Sequence, residues 1–224
     1  MTRVGDDLDG ISVSEVEVES LSISLPGILT LPRENPRAVV VFAHGSGSSR
    51  LSLRNAYVAT VLHGSGFGTL LFDLLTEQED AVYDNRFDID LLAERLTAAT
   101  QWLHEREGLV DLPVGYFGAS TGAAAALQAS VRRPDVRAVV SRGGRPDLAW
   151  DYLDRVEAPT LLVVGGRDDR AVLGFNERAL ARLNTGGRKN NELVIVPGAT
   201  HLFEEPGTLE EVARIATKWF LRFL

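Results

Sequence analysis

The sequence predicts an α/β fold, a mostly parallel sheet with helices on both faces and antiparallel strands at its N-terminal edge, and three features of the chain predict it. Continuous apolar runs such as Ala38-Val-Val-Val-Phe-Ala43 and Thr160-Leu-Leu-Val-Val-Gly165 have the pattern of parallel strands buried on both faces. Helix-forming segments alternate with those runs, so right-handed crossovers lay helices on both sides of the sheet. Only residues 14–31 show the period-two alternation of strands with one wet face, in Ser14-Glu-Val-Glu-Val-Glu-Ser20 and Leu21-Ser-Ile-Ser-Leu25, and the antiparallel edge belongs there.

Taken in order, the hairpin-like start is broken by Leu31-Pro32 and by Arg33-Glu-Asn-Pro-Arg37 ahead of the central strand Ala38–Ala43. A small-residue loop, His44-Gly-Ser-Gly-Ser-Ser49, follows it, and a helix from about Ser52 to His63 is closed by Gly64-Ser-Gly66. Those glycines follow a helix instead of opening one, which excludes a dinucleotide-binding turn. Thr69-Leu-Leu-Phe-Asp73 is the next strand. A polar loop, Thr76 to Phe87, leads to a helix from Asp88, its expected N-cap, to about Glu107, with Leu91, Leu92, Leu96 and Trp102 on it. The strand beginning at Val114 passes through Gly118-Ala-Ser-Thr-Gly122 into a helix that fades at Arg133-Pro134. Strands Val136–Ser141 and Thr160–Gly165 come next. The residues between them, Arg142 to Pro159, hold at most one short helix, so no substantial lid is expected. A helix near Val172–Leu183, a strand Glu192–Val196 and an amphipathic helix Thr208–Phe223 complete the chain.

Bulk properties narrow the function classes. No linker-like segment divides the 224 residues, and one domain spanning 1–224 is expected. At this length roughly 70 to 75% of the unfolded surface is buried on folding, enough to dispense with disulfides or a structural metal. The absence of cysteine rules out thiol catalysis and thiolate metal sites. A net charge of −8 argues against nucleic acid or an anionic membrane as partner, and no apolar run approaches a transmembrane length. The acidic start Met1-Thr-Arg-Val-Gly-Asp-Asp-Leu-Asp-Gly10 lacks a secretory pattern, which makes the cytoplasm the expected location.

In an open parallel sheet, chemistry gathers at the carboxyl ends of the strands. Gly118-Ala-Ser-Thr-Gly122 puts Ser120 on a sharp strand-to-helix turn with its hydroxyl projecting from the sheet edge, and the flanking glycines keep strand and helix from colliding. A serine hydroxyl is a weak nucleophile at neutral pH, and needs a base and a carboxylate that orients the base. His201, reached from the last strand through Pro197-Gly-Ala-Thr200, is the expected base. Asp168 is the chosen acid, with its neighbour Asp169 as alternative; Asp147 has the look of a helix N-cap. Of the four histidines, His63 and His104 lie on helices, and His44 stands where it would hold its loop by a hydrogen bond. Oxyanion donors are expected from the backbone N–H of Thr121 and of Ser46, with Gly47 as alternative to Ser46. Ser141-Arg-Gly-Gly-Arg145 also leaves a strand at this edge. Arg142 is expected to face the pocket as a substrate-binding residue for an acidic group, the alternative being a structural pair of Arg142 or Arg145 with Asp147, Asp168 or Asp169. Phe203, Trp150 and Tyr152 are candidate pocket walls.

Together, His44-Gly-Ser-Gly47, Gly118-Ala-Ser-Thr-Gly122, Gly165-Gly-Arg-Asp168 and Pro197-Gly-Ala-Thr-His-Leu-Phe203 resemble the α/β-hydrolase superfamily, nearest its dienelactone-hydrolase-like branch, from about Ala38 to the C-terminus. The resemblance implies Ser120 as nucleophile, Asp168 as acid, His201 as base, the amides of Ser46 and Thr121 as oxyanion hole, and neither cofactor nor metal. Dienelactone hydrolase itself has a cysteine nucleophile where this chain has serine, so the lactone substrate does not transfer. The reading is a lidless serine esterase acting on small carboxylic esters. Acyl transfer or perhydrolysis by the same residues, and a non-catalytic binding protein on the same fold, are the alternatives.

Overall fold

The computed structural model of the protein describes residues 10–20, 22–185 and 190–224; the acidic start Met1–Asp9, read above for targeting, lies outside them. Eight strands form one sheet in the order β1-β2-β4-β3-β5-β6-β7-β8. They are β1 (Ile11–Ser20), β2 (Ile23–Pro32), β3 (Val39–Ala43), β4 (Gly68–Phe72), β5 (Val114–Ala119), β6 (Val136–Arg142), β7 (Thr160–Gly165) and β8 (Asn191–Val196). β1 and β2 are antiparallel to each other and β2 to β4, while every other pairing is parallel. The antiparallel edge therefore sits where period-two alternation predicts it, although β2 runs on to Pro32, paired with Ile11, instead of breaking at Leu31. A proline is admissible there because the strand ends at it.

The helices are α1 (Leu53–His63), α2 (Glu77–Asp80), α3 (Ile89–His104), α4 (Thr121–Arg132), α5 (Arg170–Leu183) and α6 (Thr208–Phe223). The central runs are apolar throughout because successive side chains point to opposite faces and both faces are covered. Val39, Val41, Leu70, Phe72, Val114, Tyr116, Val139 and Leu162 belong to one core with α3 and α4. Val40, Phe42, Leu71, Phe117, Val140, Leu161 and Val163 belong to a second core with α1 and α6. Ala123–Ala126 of α4 are wholly buried, and these short side chains let that helix lie close against the sheet. None of the described helices is long and apolar enough to cross a membrane.

Two segments differ from the sequence-based expectation. Thr76–Phe87 is not an open polar loop: α2 and a 3-10 turn, Tyr83–Phe87, fill it. Thr76 accepts from the Glu79 amide, and Glu79 returns a bond to the Thr76 amide, a reciprocal cap that a short polar helix relies on because it has no apolar face. Arg95 of α3 then holds Glu79 at 2.8 Å and Ser20 of β1 at 3.1 Å. Between β6 and β7, 3-10 turns occupy Pro146–Arg155 across a kink at Ala149, without a lid. Asp147 is not their N-cap, a position held by Arg145; it lies in the first turn and takes the Arg145 guanidinium through two bonds of 2.8 Å.

Candidate active site

The turn between β5 and α4 places Ser120 at φ 51 and ψ −117, a conformation that non-glycine residues hold only under constraint. The constraint is visible in its neighbours. A Cβ on Gly118 would lie 2.4 Å from the Ala123 Cα, and one on Gly122 would lie 2.2 Å from the Ala43 carbonyl oxygen, so neither position admits a side chain. The Ser120 amide donates to the Arg142 carbonyl at 3.2 Å, and its carbonyl accepts from Ala123 and Arg145. Its hydroxyl makes no capping bond to α4, which leaves it available at the sheet edge.

Two loops meet beside it. His201 Nδ1 lies 2.9 Å from Asp168 Oδ2 and 3.2 Å from Oδ1. Since the Asp168 carboxylate accepts, Nδ1 is the donor of this bond, and in the neutral imidazole the free lone pair lies on Nε2. Asp168 is 9% exposed and its Oδ1 also accepts from the Asp169 amide at 2.7 Å. Asp169 is turned the other way: it caps α5, accepting from Ala171 at 2.8 Å. The loops are tied together by Gly166 N–H to Val196 and Arg167 N–H to Ala199, both 2.8 Å. Glu205 holds the Thr200 amide at 3.0 Å, next to the histidine, an anchor that sequence reasoning missed because a loop glutamate carries no signal of its partner. Ser120, Asp168 and His201 line one open cleft of about 410 Å³ with Arg145, Arg167 and Val172. Larger clefts of about 530 and 660 Å³ contain none of these three residues.

The other histidines have structural partners. His44 donates from Nδ1 to the Gly45 carbonyl at 3.0 Å and accepts the Leu74 amide on Nε2 at 3.0 Å; burial holds it below the usual imidazole range, against the smaller upward pull of the Gly45 bond and of Asp73 and Asp80. His63 bonds the Thr69 hydroxyl at 2.8 Å, and His104 sits among Arg133 and Asp135. At the expected oxyanion position, Thr121 is the first residue of α4, where its N–H has no intrahelical acceptor. The Ser46 amide donates to the Thr121 hydroxyl at 2.9 Å. That hydroxyl occupies the place a substrate oxygen would take on this donor, and has to give way for Ser46 to act.

The two arginines after β6 separate. Arg145 is satisfied by Asp147, the structural pairing weighed above. Arg142 makes no ion pair among the described residues; it is 7% exposed and is pushed down to about 10 by burial and by Arg54. It lines a second pocket, about 180 Å³, with Ser46, Ser120 and His201. Phe203 is not a wall of either pocket: it is 2% exposed in the α1/α6 core, beneath the Arg142 guanidinium at 6.0 Å. Trp150 packs on the other core under Arg182, and Tyr152 bonds Asp90 at 3.4 Å, so neither reaches the cleft.

This sheet order, with a serine elbow after β5 and a His-Asp pair from the ends of β7 and β8, defines an α/β-hydrolase. The chain belongs to the dienelactone hydrolase family, whose model matches residues 25–224. It is similar to the crystal structure of a dienelactone hydrolase from Anabaena variabilis, at 50% identity and a TM-score of 0.90, covering 96% of this chain and 100% of that one. Est1E from Butyrivibrio proteoclasticus has the same fold at 16% identity, with a TM-score of 0.77 over 96% of this chain and 98% of its own. A protein of Mycobacterium tuberculosis provisionally named a phosphoribosyl transferase is 59% identical over 211 residues, which are 94% of this chain and 46% of that protein. The chain thus spans about half the length of that relative.

Proposed function

We propose that this hydrolase cleaves small carboxylic esters through an acyl-enzyme on Ser120. The observation that carries the reading is the His201–Asp168 pair, 2.9 Å apart, opening onto the same cleft as a serine held on a strained elbow. His201 Nε2 takes the hydroxyl proton as Ser120 attacks the ester carbonyl, and returns it to the departing alkoxide. Asp168 keeps the proton on Nδ1 and stabilises the imidazolium. The amides of Thr121 and Ser46 receive the oxyanion, the latter once the Thr121 hydroxyl has moved aside. Water then enters along the same route and releases the acid. A lidless cleft of this size suits compact, soluble esters. The transferase name of the mycobacterial relative does not redirect the proposal, because the match covers under half of that protein.

The test is labelling with a fluorophosphonate followed by intact-mass measurement. One adduct is expected on the wild type and none on Ser120→Ala, whose ester turnover falls by roughly 10⁴ to 10⁶ because the members of such a unit act together. Turnover near wild type in Ser120→Ala would overturn the proposal.

A further inference from the structure

The pocket on the oxyanion side of Ser120 contains a charge with no counter-charge. Arg142 closes β6, is more than nine-tenths buried, and among the described residues finds no acceptor for its Nε or Nη1. A guanidinium cannot escape burial by losing its proton at neutral pH, and even pushed down to about 10 it stays a cation. A buried cation without a partner is unfavourable, and a methionine of similar length would avoid the penalty. Across the same pocket, Arg54 of α1 also has a buried, unpartnered Nε, while its Nη1 meets Glu204 at 3.1 Å on the exposed rim. The charged and titratable groups facing this space are Arg142, Arg54, Glu204 at the edge and the His201 ring with Asp168 behind it.

The remaining lining is mixed: Ser46, Ser48 and Ser52 stand beside the apolar Ala119 and Leu202, and Asn55 Oδ1 is a buried acceptor without a donor among the described residues. Ser52 caps α1 by accepting the Asn55 amide at 3.3 Å, and the amide of Arg54, in the first turn of that helix, has no intrahelical acceptor. Ser46 and Ser48 line the pocket from the loop after β3. A carboxylate presents two coplanar oxygens and would be satisfied by the Arg142 fork alone. Donors that converge from β6, from the start of α1 and from the serine loop match an anion with three free oxygens on different sides. We propose that this pocket seats a phosphate group carried by the ester substrate, gripped by Arg142 and Arg54 at the N-terminus of α1. The ester part of this statement rests on the hydrolase reading; the phosphate seat does not.

Binding therefore tests it without turnover. Ser120→Ala protein is titrated calorimetrically with inorganic phosphate and, at matched ionic strength, with acetate. Phosphate is expected to bind at least about tenfold more tightly than acetate, and Arg142→Met in the same background to weaken phosphate by about tenfold or more. Phosphate should raise the Tm of the Ser120→Ala protein by more than that of the Arg142→Met variant in the same background. Arg142→Met should itself melt no lower than its parent, since it removes an unpaired buried charge. Arg142→Lys, which keeps the charge and loses the fork, gives a second variant expected to weaken phosphate. Equal binding of acetate and phosphate, or phosphate affinity untouched by either Arg142 substitution, would overturn the assignment. Because no step of the measurement uses catalysis, a failed fluorophosphonate label and a failed phosphate titration are separate results.

Discussion

At Ser120 the decisive feature is backbone, with φ 51 enforced from both sides by glycines whose Cβ atoms would strike Ala123 and Ala43. At Asp168 and Asp169 it is direction. Two adjacent aspartates have opposite tasks: one faces His201 from a buried position, and the other closes the first turn of α5. Asp168→Asn removes the acceptor that fixes the imidazole tautomer and is expected to lower kcat by about 10⁴ with the fold intact. Asp169→Asn should change kcat by less than about tenfold and stability by only a few tenths of a kcal/mol, because asparagine caps helices about as well as aspartate. Steady-state kinetics with one small ester on both variants decides it, and the reverse ranking would transfer the acid role to Asp169.

Among elements, the segment between β4 and α3 depends most on a few polar contacts. α2 has four residues and no buried side chain, so its place is set by the Thr76/Glu79 cap and by Arg95, which reaches it from α3. Glu79→Ala removes the reciprocal cap and leaves Arg95, 7% exposed along its side chain, with only Ser20 for a partner among the described residues. A loss of about 1 to 3 kcal/mol is expected, the range for stranding a buried charged donor. Urea denaturation measures it, and a loss below about 0.5 kcal/mol would mean that water replaces the carboxylate freely.

For the whole molecule, burial of neutral histidines shapes the response to acid. His44 and His63 both lie below the ordinary value of 6.5, in each case mainly through burial. The unfolded chain therefore takes up protons below about pH 6.5 that the native protein refuses, so stability falls as pH drops from that point toward the folded-state values. Each histidine contributes a slope of at most about 1.4 kcal/mol per pH unit in that window. Equilibrium denaturation between pH 7.5 and 5.5 should show the decline, and a His44→Asn, His63→Asn double variant should show a shallower one. Stability that rises toward pH 5.5 in the wild type would contradict the neutral, hydrogen-bonded His44 between Gly45 and Leu74.

The alternation of residues 14–31 and the apolar runs set the sheet's composition and its antiparallel edge, because strand periodicity is a property of consecutive residues. The Ser120 elbow is local in the same sense, five residues whose sizes dictate the turn. The capping box Thr76-Glu-Gln-Glu79 was equally legible, but without apolar periodicity the segment reads as loop. Tertiary structure alone decided which of Asp168 and Asp169 meets His201, that Arg145 and not Arg142 is paired, and that Phe203 fills a core instead of a pocket. It also put the Thr121 hydroxyl on the Ser46 amide, 75 residues away in the chain. Backbone preference is settled among neighbours, whereas the direction in which one of two similar side chains points depends on the twist of the sheet and on elements brought in from far along the sequence.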